Sequence, residues 1–203
     1  MLGLAADGGV DVSEPLDRSM LARLATVVGD ATEALAGYDH TTALAVTESF
    51  FWQFCDDYIE LVKARAYGDG PAAESARAAL RSALETLLRL FAPFLPFVTE
   101  EVWSWWRSGS VHTSPWPEPD GLTGGDAEVM AVVAGALSRV RRAKSDRNLS
   151  MRAGVTLARV SGPPAVLERL ALASGDLRAA GHIATLDLTQ DSHDQDVTVV
   201  IDI

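Results

Sequence analysis

The run from about Asp39 to Tyr67 constrains this chain more than any other. It places Ala43, Val46, Phe50, Phe54, Tyr58, Ile59 and Val62 on one wide apolar face, which is the spacing of a helix. Some ~25 residues rising ~1.5 Å each span ~37 Å, the width of a small domain. Any fold for this chain is therefore built along that rod. Gly68, Gly70 and Pro71 end it, and Pro71 then suits the first position of the next helix, where its missing N–H costs nothing.

Helical spacing continues on both sides. Residues 17–36 set Met20, Leu21, Leu24, Val27, Val28, Ala31 and Leu35 three and four apart, with Asp17 as the expected N-cap and Gly37 as the stop. After Pro71, Leu80, Leu84, Leu87, Leu88 and Phe91 mark an inner face that Pro93 terminates. A short helix from Pro96 is expected to bury Val98, Val102, Trp105 and Trp106. Residues 108–126 read as a loop, and a helix over about 126–144 turns Val129, Val132, Val133, Ala136 and Val140 inward.

Past Asn148 the pattern changes. Val155–Val160, Ile183–Leu188 and Val197–Ile203 read as strands, with a short helix opened by Pro163 or Pro164 between the first two. The expectation is a mainly α chain: a lead-in at residues 1–15, an antiparallel helical bundle at 16–147, and a small α/β appendage at 148–203.

Composition narrows the function classes. The chain has 203 residues, 48% of them hydrophobic and 22% charged, as in ordinary globular proteins. One cysteine, Cys55, excludes a disulfide framework and makes a cytoplasmic setting the default. No apolar run is long enough to span a membrane. The net charge of −11 argues against a nucleic-acid footprint over the whole surface. Yet Arg139, Arg141, Arg142, Lys144, Arg147 and Arg152 crowd into fourteen positions beside a single acid, Asp146. A helix C-terminus attracts cations, which accounts for Lys144 more readily than for all six. This stretch is the first candidate for phosphate contact.

Other motifs point away from catalysis. No Gly-rich nucleotide cradle is present, His40, His112, His182 and His193 lack metal spacing, and one cysteine excludes a thiolate zinc site. Asp56, Asp57 and Glu60 form an acidic cluster, but Glu60 with Lys63 is an ordinary i,i+3 helix pair. The aromatic clusters at 50–54 and 103–106 lie mostly on or beside apolar stripes and read as core. Trp52 falls off the stripe and is the best base-stacking surface.

Three segments together resemble one family. Tyr38–Tyr67 is similar to the aromatic-rich helix ending F-x-D-x-Y-[IL]-E-x-x-K, Leu84–Trp103 to L-x-P-F-x-P-F-[IV]-T-E-E-[LI]-W, and Gly109–Pro117 to S-[IV]-x-x-x-x-W-P. All belong, in this order, to the anticodon-binding domain of the class I aminoacyl-tRNA synthetases that charge valine, isoleucine and leucine. The run Phe54–Tyr58 followed by Ile59 and Glu60, and the stretch Leu137–Asn148, resemble the valine branch most.

The resemblance implies a helical bundle that binds tRNA at the anticodon loop, valine tRNA on this reading. It also implies a catalytic domain elsewhere in the same polypeptide, which would use ATP with magnesium. The ATP-binding motifs of that domain are missing here, so the chain by itself is expected to hold no cofactor and to be inactive alone. Under this reading Arg139, Arg142 and Arg147 hold phosphates or stack on bases, Lys63 and Arg65 add backbone contacts, and Trp52 stacks. The alternatives are the same domain of an isoleucine or other aliphatic enzyme, and a protein-interaction bundle marked by an exposed apolar patch.

Overall fold

The computed structural model describes residues 12–190 and 197–202. Most of the expected lead-in, together with His193 and Ile203, lies outside the described residues. The chain is mainly α, a helical bundle carrying a small three-stranded sheet.

Helix α1 spans Pro15–Ala36, with Pro15 in the first turn and Glu14 as N-cap. Asp17, expected to be the cap, lies inside the first turn and is fully buried. The long rod forms as α2 (His40–Gln53), a π-helical turn (Phe54–Tyr58) and α3 (Ile59–Ala66). Its start is fixed by Asp39, whose carboxylate accepts the backbone N–H of Thr42 at 3.0 Å. Phe50, Phe54 and Tyr58 stack in a buried column, with ring centroids 6.3 and 5.6 Å apart.

Helix α4 spans Pro71–Phe91. Its innermost stripe is smaller than expected: Ala73, Ala76, Ala79 and Ala83 are buried, while Leu80, Leu84 and Phe91 are only half-buried. Small side chains let α4 approach its neighbours closely, and adding volume there would overpack the seam, typically at a cost of about 1–3 kcal/mol. Helix α5, Pro96–Ser104, corrects another expectation. It turns Thr99, Val102, Trp103 and Trp106 inward and leaves Val98 and Trp105 exposed. The inward face is centred on positions 99, 102, 103 and 106, which turns 98 and 105 to its solvent edge.

Helix α6, Glu128–Asp146, buries Val129, Val133, Ala136 and Val140 as its periodicity predicts, while Val132, expected inward with them, is only half-buried at the edge of the stripe. In the loop before it, Gly125 lies against the backbone of Arg18, where a Cβ would come within 2.3 Å of the carbonyl oxygen. Only glycine permits that approach.

The appendage consists of β1 (Val155–Gly162), α7 (Pro164–Leu172), α8 (Ser174–Gly181), β2 (Ile183–Gln190) and β3 (Thr198–Asp202). The strand order is β2-β1-β3, with β1 parallel to β2 and antiparallel to β3. Parallel pairing requires a crossover, which α7 and α8 supply. One apolar cluster runs from Leu16 and Leu24 in α1 through Leu137 in α6 to Ala158, Leu170 and Ile201 in the appendage.

Candidate nucleic-acid interface

The geometry begins with charges buried between bundle and appendage. Arg65 on α3 uses all five of its N–H donors. Its Nη1 and Nη2 each donate to Asp17 at 2.8 Å. Nε and Nη2 donate to Asp176 of α8 at 2.9 and 3.0 Å, and Nη1 also reaches the carbonyl of Ala72 at 2.8 Å. A guanidinium has no sixth donor. Asp17 is further held by the hydroxyls of Tyr58 (2.8 Å) and Ser75 (2.7 Å).

Burial, and then the Asp17 charge, raise the Tyr58 phenol well above its ordinary pKa. Burial raises the Asp176 carboxyl too, against the lowering effect of Arg65. Arg65 therefore cannot serve as an RNA contact; it joins α1, α3 and α8, and the expectation for it is corrected.

Lys144 makes a second tie across the same junction. Its side chain is buried, and its ammonium donates to the carbonyls of Met151 (3.0 Å), Ala153 (2.8 Å) and Gly181 (2.9 Å). Three donors meet three acceptors. Burial lowers its pKa. It is thus not a solvated helix-end cation but the point at which α6 clips onto the appendage.

Between these ties lies a cleft of about 450 Å³, lined from α3 by Glu60, Lys63 and Ala64, from α6 by Val140, Arg141 and Lys144, and from the appendage by Met151, Arg152 and residues 179–182. Lys63 is exposed and pairs with Glu60 at 3.2 Å. Arg141 donates to the carbonyl of Asp56 at 3.3 Å and lies 3.9 Å from the Asp57 carboxylate. Burial raises the Asp57 pKa, with Arg141 opposing it. Arg152 is exposed. Arg141 and Arg152 stand in the basic stretch, but it is the packing of α6 on the long rod that brings Arg141 to the cleft with Lys63, and the closing of the appendage that brings Arg152.

The remaining expected residues sit around this cleft without lining it. Arg139 and Arg142 are exposed on α6, Arg139 reaching back to the carbonyl of Gly135 at 3.2 Å. Arg147 is exposed but anchored, its Nη1 donating to the carbonyl of Ile201 at 2.6 Å. Trp52 is 54% exposed, with its indole N–H 3.4 Å from Glu48. Among the described residues there is no group of three or more His, Cys, Asp and Glu side chains placed to hold a metal ion, and no helix is long and apolar enough to cross a membrane.

Comparison with known proteins follows the same line. Residues 17–159 match the family described as the anticodon-binding domain of tRNA ligase. The chain is 51% identical over 200 residues to the valine–tRNA ligase of Salinispora arenicola, covering 88% of this chain and 23% of that protein. It is 57% identical over 180 residues to the valine–tRNA ligase of Thermobifida fusca, covering 86% and 20%. With that of Cutibacterium acnes the identity is 50% over 183 residues, covering 87% and 21%. The chain thus spans between a fifth and a quarter of the length of these relatives.

Proposed function

Because the chain belongs to the family of anticodon-binding domains of tRNA ligases, we propose that it docks the anticodon loop of a valine tRNA, with the junction cleft gripping the phosphates. The observation that carries this is that Lys63, Arg141 and Arg152 line one cleft in a chain of net charge −11. Anionic surface elsewhere repels the polyanion and leaves the cleft as the attractive approach. Unpaired loop bases are what RNA-reading proteins recognise in sequence-specific fashion, and phosphate contacts set the register for that reading. Arg139, Arg142 and Arg147 extend the positive rim, and Trp52 offers a ring for stacking.

Binding of valine and isoleucine tRNA transcripts, measured at two salt concentrations, tests this. Valine tRNA should bind more tightly, and log affinity should fall with log salt by roughly 0.7 per phosphate contacted. Lys63→Ala with Arg152→Ala should flatten that slope by about 1.4. Equal binding of both tRNAs removes the valine assignment; a flat salt response in the wild type removes the cleft.

Charging of valine with ATP and magnesium is assigned to the rest of a longer parent polypeptide, working in the cytoplasm. The sequence carries no Gly-rich phosphate cradle of the kind that chemistry uses. Valine-dependent pyrophosphate exchange by this chain alone would overturn the assignment. The face of α5 carrying Phe97, Val98 and Trp105 is exposed and favours a protein contact. The partner proposed for it is the remaining length of that parent.

A further inference from the structure

Upstream of Arg141, on the face where α1, α2 and α6 meet, two further hollows of about 500 and 370 Å³ share a wall. Both are lined by Arg23 of α1 and Gln53 of α2. The Arg23 Nη2 donates to the Gln53 Oε1 at 2.7 Å. That bond fixes the amide and leaves its NH₂ group without a partner among the described residues. The Nε–H of Arg23 is buried and also makes no hydrogen bond. A buried donor left unmade is costly, which applies to the Arg23 Nε–H; the NH₂ group of half-buried Gln53 faces the hollows with its donors unspent. Apolar shelves flank them: Val27, Val46 and Phe50 on one side, Met130, Ala131 and Ala134 on the other.

We propose that Arg23 and Gln53 form a base-reading pair, seated between two hollows that take unpaired nucleobases of the bound RNA. The chemistry favours this occupant. Guanidinium and carboxamide groups are the side chains best shaped to address base edges bidentately, and flat apolar walls accept the faces of the rings. Each hollow lies in the size range of small-ligand pockets. The position fits as well. Asp57 lines the second hollow, while Arg141, 3.9 Å from its carboxylate, lines the junction cleft. A strand gripped by its phosphates at the cleft would continue directly along the seam to the pair. The inference rests on the RNA-binding function proposed above, and it assigns sequence selectivity to residues outside the basic stretch.

The experiment is binding of valine tRNA transcripts carrying a single base change at each anticodon-loop position in turn. The proteins compared are the wild type, Gln53→Ala, Gln53→Glu, Arg23→Lys, and Lys63→Ala with Arg152→Ala. Gln53 is half-buried, and Gln53→Glu keeps its shape and its bond to Arg23 while removing the amide donor. The expected result is an affinity loss of about tenfold or more for the native loop in Gln53→Ala and Gln53→Glu. Discrimination at one or two loop positions should collapse in both, with the salt slope of Gln53→Ala unchanged. The cleft variant should instead weaken all transcripts alike and flatten the slope. Wild-type affinity and full discrimination in Gln53→Ala and Arg23→Lys overturn the pair while leaving the domain's function standing. A wild-type chain that binds no tRNA overturns both.

Discussion

Arg65 on α3 and Asp17 on α1 meet through two parallel N–H to carboxylate bonds of 2.8 Å, with Asp17 fully buried. The pair closes the bundle's first and third helices over one another. The second grip of Arg65, on Asp176, brings in the appendage. One cation thus neutralises part of two carboxylates from opposite ends of the chain.

Removing that cation should be severe. Arg65→Met leaves Asp17 buried with only the Tyr58 and Ser75 hydroxyls for company. Breaking a buried pair from one side costs about 3–5 kcal/mol, and urea unfolding should show a loss of that order. Arg65→Lys should recover part of it, since an ammonium keeps the charge but not the five-donor fork. A loss under about 1 kcal/mol for Arg65→Met would place the pair among exposed ion pairs and refute the buried tie.

Asp176 gives the junction a pH dependence whose sign is fixed by its environment. Its pKa is raised above the ordinary 3.8 by burial, against the pull of Arg65. A carboxyl raised in the folded state binds its proton more tightly there than in the unfolded chain. Its titration therefore adds stability as pH falls through the folded pKa, fully so below the unfolded value, and that contribution is lost as pH rises. Asp176→Asn lacks it. Between pH 7 and pH 4 the variant should lose more stability on acidification than the wild type. Urea titrations at unit pH steps measure the difference, and a wild-type-minus-variant stability that falls toward low pH would reverse the sign.

Much of the fold was legible in sequence, and the misses have physical causes. The helices with wide apolar stripes were found because 3.6-residue periodicity depends on local spacing alone. Helix α8 escaped because SGDLRAAG offers one large apolar side chain, Leu177, and glycine near both ends. The π-helical turn leaves no periodic mark in five residues. In the site, exposed Trp52 was placed on the surface by its phase on the helix. Arg65 and Asp17 were misread because burial of a charge depends on partners 48 residues apart in sequence, which no local pattern encodes. Arg23 and Gln53 look unexceptional until α1 and α2 are packed together.

Lys144 offers a second test of the junction, independent of Arg65. Lys144→Met retains the buried stem but strips three carbonyls, at residues 151, 153 and 181, of their common donor. Orphaned buried acceptors cost about 1–3 kcal/mol each when no water reaches them. A total near 3 kcal/mol is expected, with faster amide exchange across the 148–155 segment than in the centre of α4. Unchanged exchange there would mean that the ammonium does not anchor the appendage.

Arg142 and Arg147 separate RNA contact from folding. Arg142 is exposed and has no hydrogen bond or ion pair among the described residues, so its loss touches nothing in the free protein. Arg147 spends one donor on the carbonyl of Ile201 in β3. Arg142→Ala should leave the melting temperature in place and reduce the salt slope of tRNA binding by roughly 0.7. Arg147→Ala should do the same to the slope and also remove a charge-assisted bond to the sheet edge, lowering stability by about 1–2 kcal/mol. The pattern that would sink this division is a salt slope unmoved by either substitution: the basic stretch would then serve the junction, and the phosphates would be held by Lys63, Arg141 and Arg152 alone.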